Sequence, residues 1–150
     1  MIRKAKLNDV GAIYDIIESF ARKGAMLMRP LAEIYDNVRD FFVYEADGRI
    51  AGAGSLHVWG ADIGEIRSLA VSADSTGRGI GKSLVDACLE EARSLGIKRV
   101  FALTYKTVFF EKLGFNVVDK LILPQKIWGD CIRCSKFPSC DETAVMIEVC

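Results

Sequence analysis

The sequence predicts an α/β (α+β) fold: a mixed, mostly antiparallel central sheet flanked by helices. Three observations predict it. Strand signals follow one another without a helix between residues 41 and 71, whereas strands and helices alternate only afterwards. Apolar residues make up 51% of a 150-residue chain, enough to fill one continuous core. No internal repeat, low-complexity tract or linker interrupts it, so 1–150 reads as a single domain.

Taken in order, Ile2 to Lys6 alternates apolar and basic residues, the pattern of a short first strand. Asn8 or Asp9 can cap a helix whose apolar positions run Val10, Ile13, Ile17, Phe20 and Ala21, and Gly24 ends it. The apolar patch Met26–Met28 is broken by Arg29-Pro30, and Leu31 to Arg39 reads as a second, short helix. Phe41 to Glu45 is a strand, Asp47-Gly48 a hairpin turn, and Ile50 to Val58 the partner strand. Gly52 and Gly54 within it mark either a bulge or a close backbone approach. After a turn at Gly60 to Asp62, Glu65 to Val71 completes three antiparallel strands in a row. Ile80 to Leu95 is an amphipathic helix with Ile80, Leu84, Val85, Cys88, Leu89 and Ala92 on its apolar face, stopped by Gly96. Arg99 to Thr104 is a strand, Val108 to Leu113 a short helix stopped by Gly114, and Phe115 to Val118 a strand. Leu121 to Asp141 is irregular, an excursion at about 121–142 with two prolines and three cysteines, and Thr143 to Val149 alternates and closes the sheet.

Charge narrows the partners. Twenty Lys and Arg balance twenty Asp and Glu, so no broad field draws nucleic acid or anionic membrane. Met1 to Lys6 leads straight into Asn8-Asp9 without the apolar stretch of a secretory signal, and no apolar run is long enough to span a bilayer. A cytoplasmic location is the expectation. Five cysteines, an odd count, point to reduced thiols rather than a disulfide framework.

The richest signal is Thr76-Gly77-Arg78-Gly79-Ile80-Gly81-Lys82-Ser83, which follows a strand and opens a helix. Such a turn gathers backbone N–H groups at the positive end of a helix dipole, and glycines let a phosphate approach. A P-loop would need its first glycine where Thr76 stands, and a dinucleotide fingerprint would need its third where Lys82 stands. The remaining pattern, alternating glycines after an antiparallel meander, fits the pyrophosphate of a coenzyme A.

Leu69-Ala70-Val71, Gly77-Arg78-Gly79-Ile80-Gly81 and Phe109-Phe110-Glu111-Lys112-Leu113-Gly114-Phe115 together resemble three separated motifs of the GCN5-related N-acetyltransferase (GNAT) family, in the right order and on the right elements. The chain departs from the usual pattern at Thr76, where the family more often has Arg or Gln. The resemblance implies acetyl-CoA as co-substrate. It implies that the fourth and fifth strands splay, that pantetheine pairs with the backbone of Leu69 and Val71, and that Gly77 to Lys82, with Ser83 beyond, hold the pyrophosphate. The amide of Leu69 or Ala70 becomes the oxyanion donor. Glu65 matches the family's usual carboxylate and can serve as general base, directly or through water; its plain alternative is a polar residue at a strand end. Many relatives carry a tyrosine acid in the helix after the fifth strand. That helix has none here; Tyr105 just before it is one substitute, and a coenzyme thiolate that leaves without an acid is the alternative. His57, the only histidine, reads as a surface or structural residue.

The stretches Met26 to Leu31, Gly64 to Val71, Leu103 to Thr107 and Leu123 to Glu142 more narrowly resemble a short, stand-alone N-acetylglutamate synthase. That resemblance implies L-glutamate as acceptor and a place at the first step of arginine biosynthesis. It puts Met28, Arg29, Ser68, Lys106 and Thr107 at the acceptor, with Arg29 and Lys106 facing carboxylates. Another amine (glutamine, a protein N-terminus or a lysine) and a non-catalytic acyl-CoA sensor remain as alternatives. Members of this superfamily often pair through sheet edges, so a homodimer is also implied. Cys131, Cys134 and Cys140 leave three readings open: buried thiols, part of a zinc site short of ligands, or a redox pair. No metal is assigned.

Overall fold

The computed structural model describes residues 1–123 and 142–149. Its strands are β1 (Ile2–Lys4), β2 (Phe41–Ala46), β3 (Arg49–Val58), β4 (Ile63–Val71), β5 (Arg99–Thr104), β6 (Asn116–Val118) and β7 (Thr143–Glu148). Its helices are α1 (Val10–Arg22), α2 (Leu31–Asp36), α3 (Ile80–Leu95) and α4 (Thr107–Lys112). The strands form one sheet in the order β1-β2-β3-β4-β5-β7-β6.

The expected antiparallel meander is present: β1 pairs with β2, β2 with β3 and β3 with β4. The hairpin between β2 and β3 turns through Asp47 and Gly48, both at positive φ, the conformation that an Asp-Gly turn supplies cheaply. β4 and β5 run parallel because α3 carries the chain back across the sheet between them.

Two helical layers cover the sheet. Ile80, Leu84, Val85, Cys88, Leu89 and Ala92 of α3 are all buried, as the periodicity predicts. Most of them join Leu56, Ile66, Val100, Ala102, Phe110 and Phe115 in the largest core cluster. The second cluster joins Val10, Ile13 and Ile17 of α1 to Ile34 of α2 and to Phe41, Val43 and Ala53 of the meander. Each such fully buried Ile, Leu or Val contributes about 1.5–3 kcal/mol relative to exposure. The Cys88 thiol sits in the first cluster, and burial pushes its pKa up to about 12.

Several boundaries differ from the sequence reading, each for a local reason. β1 stops at Lys4, because Lys6 already turns into a 3-10 turn at Leu7–Asp9. The Asp9 carboxylate there accepts from the Lys6 amide at 2.7 Å and from Arg3 Nη1 and Nη2 at 2.7 and 3.0 Å. The second helix ends at Asp36, and a 3-10 turn at Val38–Asp40 follows. β4 begins at Ile63, two residues before Glu65, since the Ile63 carbonyl accepts from the Trp59 amide across the hairpin. α4 begins at Thr107, and Phe115 precedes β6 because its amide bonds back to the Phe110 carbonyl. β7 does not lie at the edge. It inserts between β5 and β6, and successive residues Ala144 and Val145 are both buried, so both of its faces are covered. Within the expected excursion, Lys120–Ile122 form a 3-10 turn and Leu123 is buried; Cys131, Cys134 and Cys140 lie outside the described residues. Among the described residues, no helix is long and apolar enough to cross a membrane, and no group of three or more His, Cys, Asp or Glu could hold a metal.

Candidate active site

The site begins where a strand pair fails. β4 and β5 are in register only at Ile63–Arg99, Gly64–Val100 and Glu65–Phe101. Beyond Glu65, β4 continues to Val71 on the arm of β3, while β5 follows β7, so the two strands open into a gap. A bulge widens it. Ser55 pairs with Arg67 but Ala53 with Ala70, so the single residue Gly54 faces both Ser68 and Leu69. Ser68 takes φ of +57°, a left-handed conformation that costs a non-glycine residue and clusters at functional sites. Of the two readings of Gly52 and Gly54, close approach holds for both, and the extra residue belongs to β4. A Cβ on Gly54 would stand 3.0 Å from Leu69 Cδ1, and one on Gly52 would stand 3.0 Å from Ile80 Cγ2.

Backbone alternation then says which groups line the gap. The Ser72 amide donates to the Ala51 carbonyl, and Ala70 pairs with Ala53. Ser72 and Ala70 therefore face β3, and Leu69 and Val71 turn their N–H and C=O groups toward the gap. Of Leu69 and Ala70, the two oxyanion candidates, it is the Leu69 amide that faces the gap.

The glycine-rich turn closes the same end. Gly77 and Gly79 have φ of +80° and +75°, and a Cβ on either would meet nothing within 4 Å. Gly79 caps α3, whose first turn leaves its amides without a side-chain cap, at the positive end of a sixteen-residue dipole. Gly81 serves packing instead. A Cβ there would stand 3.3 Å from the Phe109 ring, so its absence lets α4 press against α3. Phe109, Phe110 and Phe115 stack edge to face at centroid distances of 5.1 and 5.0 Å, which sets α4 beside the loop. Arg78 and Lys82 are exposed, with Lys82 Nζ 2.9 Å from Asp86, and Ile80 is buried.

At the apex of the gap stands Glu65, 2% exposed. Its Oε1 accepts from Trp59 Nε1 at 2.9 Å. Glu65 and Arg67, two apart on β4, share a face with His57 and Ser55, their partners on β3. His57 is half-buried, with Nδ1 3.0 Å from Asp40 Oδ2 and its ring edge-on to Trp59 at 4.7 Å, so it is structural, as the sequence suggests.

Next to them is a small recess between α2 and the meander, lined by Arg29, Glu33, Asn37, Ser55, Arg67 and Ser68 together with Ile34 and Phe41. Arg29 is 4% exposed, and its Nη1 donates to Glu33 Oε1 at 3.0 Å. A guanidinium at this depth is retained only beside acceptors, which marks the recess as built for charge. Met28 precedes it, half-buried.

Arg29 and Ser68 line the recess beside the strand that carries Glu65, and Tyr105, Lys106 and Thr107 lie apart, at the end of β5 and the start of α4. Tyr105 is 41% exposed at the end of β5. It lies four residues beyond the Glu65–Phe101 level, roughly 13 Å along the strand. Lys106 caps α4, its amide donating to Thr104 Oγ1 at 2.7 Å, and Thr107 opens that helix on the far side of the gap. Trp59, Arg67 and Glu33 are missing from the sequence reading. The two-residue spacing of Glu65 and Arg67 signals a shared face; the Trp59 contact carries no comparable signal.

Residues 11–115 match the Acetyltransferase (GNAT) family. An uncharacterized N-acetyltransferase of Chlorobaculum tepidum, CT2212, is 38% identical over 145 residues, 97% of this chain and 94% of that protein. An amino-acid acetyltransferase of Mycobacterium tuberculosis is 37% identical over 136 residues, 89% of this chain and 78% of that protein. The crystal structure of N-acetylglutamate synthase from Neisseria gonorrhoeae, complexed with coenzyme A and N-acetyl-glutamate, superposes with a TM-score of 0.90 at 28% identity. The match covers 100% of this chain and 35% of that one.

Proposed function

The chain belongs to the GNAT acetyltransferase family, and from that membership we propose that it moves acetyl from acetyl-CoA to the α-amino group of a free amino acid, L-glutamate. The observation that carries the reading is the gap between β4 and β5, with the glycine turn at its mouth and one buried carboxylate at its apex. The similar proteins named for amino-acid acetylation, and the similar structure holding coenzyme A and N-acetyl-glutamate, point the same way. The whole of 1–150 acts as one acetyltransferase domain in this reading, in the cytoplasm, at the first step of arginine biosynthesis.

The residues divide the work. Backbone groups of Leu69 and Val71 offer an open strand edge to the pantetheine amides, and the amides from Gly77 to Ser83 offer the pyrophosphate a positive helix end. The Leu69 amide donates to the thioester carbonyl as negative charge builds on its oxygen. The ammonium form of the acceptor must lose a proton before it can attack. Glu65 takes that proton, and its near-complete burial favours a route through water. Arg29 and Arg67 offer guanidinium forks to the acceptor carboxylates, with Ser68 at the bulge between them and the gap. Tyr105, Lys106 and Thr107 approach from the β5 side, where Tyr105 can return a proton to the leaving thiolate.

The test is turnover of purified protein with acetyl-CoA and each free amino acid, followed by thiol release and mass spectrometry. N-acetylglutamate should dominate, and Glu65→Gln should lower kcat by about 10²–10⁴. Arg29→Ala should raise the acceptor KM by about ten- to a hundredfold, as expected for a lost charged hydrogen bond. Coenzyme binding without any amino-acid product would refute the assignment and favour a protein amine or a sensing role.

A further inference from the structure

Glu65 does not stand alone, and its surroundings are more elaborate than a buried carboxylate requires. A glutamate side chain has a broad terminal torsion, so packing alone leaves its oxygens poorly aimed. Here Trp59 Nε1 donates to Oε1 at 2.9 Å, a charge-assisted bond that fixes the carboxylate plane and uses one of its four acceptor positions. The indole is itself held. His57 meets it edge-on at 4.7 Å and 73°, and Asp40 fixes His57 through Nδ1 at 3.0 Å. The Arg67 guanidinium lies over the indole, 5.8 Å from the ring centroid. The hairpin supplies the scaffold, because the Trp59 and Gly60 amides both bond to the Ile63 carbonyl, two residues before Glu65.

We propose that Trp59 is the positioning residue for the proton acceptor: its indole N–H aims the Glu65 carboxylate, and Asp40, His57 and Arg67 hold the indole in place. The proposal rests on the reading of Glu65 as the group that takes the proton from the amine. It assigns the hairpin tip a share in catalysis without contact to substrate, because misaimed oxygens lose proton transfer while leaving acyl-donor binding intact.

Trp59→Phe is the discriminating variant. It keeps an aromatic ring against His57 and Arg67 and removes the donor, at the cost of a smaller ring. Two acceptors are compared for wild type, Glu65→Gln and Trp59→Phe: the preferred amino acid, whose ammonium form must be deprotonated, and hydroxylamine, which is already neutral at the assay pH. Trp59→Phe should lower kcat for the amino acid by about ten- to a hundredfold, part of the full general-base contribution. KM for acetyl-CoA should hold, and the ratio of amino-acid to hydroxylamine turnover should fall. Because the ratio is taken within one sample, after subtracting the uncatalysed reaction of hydroxylamine with the thioester, a reduced folded fraction cancels. Loss of both acceptors in equal proportion would overturn the proposal and make Trp59 merely structural. If Glu65→Gln loses amino-acid turnover and Trp59→Phe keeps it, the proposal alone falls. If Glu65→Gln keeps it, the base assignment falls and the proposal falls with it.

Discussion

Alanine at Gly79 and alanine at Gly96 place the same strain at the two ends of α3. The two glycines have φ of +75° and +85°, and at either one an added Cβ would meet nothing within 4 Å. Neither substitution creates an internal clash, so the folding cost is the backbone term, roughly 1–2 kcal/mol for an L-residue held left-handed. In a domain of this size that lowers Tm by about 2–8 °C in either variant. The functional cost should differ sharply. Gly96 ends the helix far from the glycine turn, whereas Gly79 caps its N-terminus inside that turn. A methyl group at Gly79 stands where the anion must approach the first amides, so affinity for acetyl-CoA should fall about tenfold or more, which is about 1.4 kcal/mol per decade. Gly96→Ala should bind as wild type does. Thermal melts of the free protein and calorimetric titration with acetyl-CoA measure both quantities on the same samples. Equal affinities for the two variants would refute the assignment of the turn as the pyrophosphate site, and a wild-type Tm for both would refute the strain argument.

Three further outcomes are expected. Gly52→Ala should destabilise by about 1–3 kcal/mol, read by urea unfolding. Its Cβ would meet Ile80 at 3.0 Å, Leu84 at 3.1 Å and the Ala70 carbonyl at 3.2 Å, and the last of these is backbone that cannot rotate away. Asp9 has its pKa held below the ordinary 3.8 by the Arg3 fork, against the opposing effect of burial and with help from the Lys6 amide. Its carboxylate thus adds stability that is complete above the unfolded value and lost as pH falls through the folded one; Asp9→Asn should flatten unfolding free energy against pH below about pH 4. The Cys88 thiol, fully buried and raised to about 12, should resist alkylation in the folded protein and react once urea unfolds it, as mass spectrometry of the Cys88 peptide would show.

Much of this molecule is written locally. The spacing of Ile80, Leu84, Val85, Cys88, Leu89 and Ala92 is enough to place α3 and its buried face, because helical period and burial are the same fact seen twice. Asp47-Gly48, Gly79 and Gly96 mark turns and caps for a reason internal to the residue, the cheapness of positive φ in glycine and its tolerance in aspartate. The glycine turn is legible for the same reason. Other features exist only between segments. The insertion of β7 between β5 and β6 depends on the edge of β5 that lies opposite β4 and is open to a later segment. The bulge at Ser68 and Leu69 depends on register with Gly54. The burial of Arg29 depends on α2 folding over the meander, and the bond from Trp59 to Glu65 depends on a hairpin that brings a residue six positions earlier alongside. The sequence by itself thus determined the elements, which follow from short-range spacing and backbone freedom, and the likeness of three of its stretches to family motifs implied the acyl donor. The tertiary structure alone decided where the sheet opens and what holds the carboxylate there, because pairing register and long-range packing set the distances that chemistry needs.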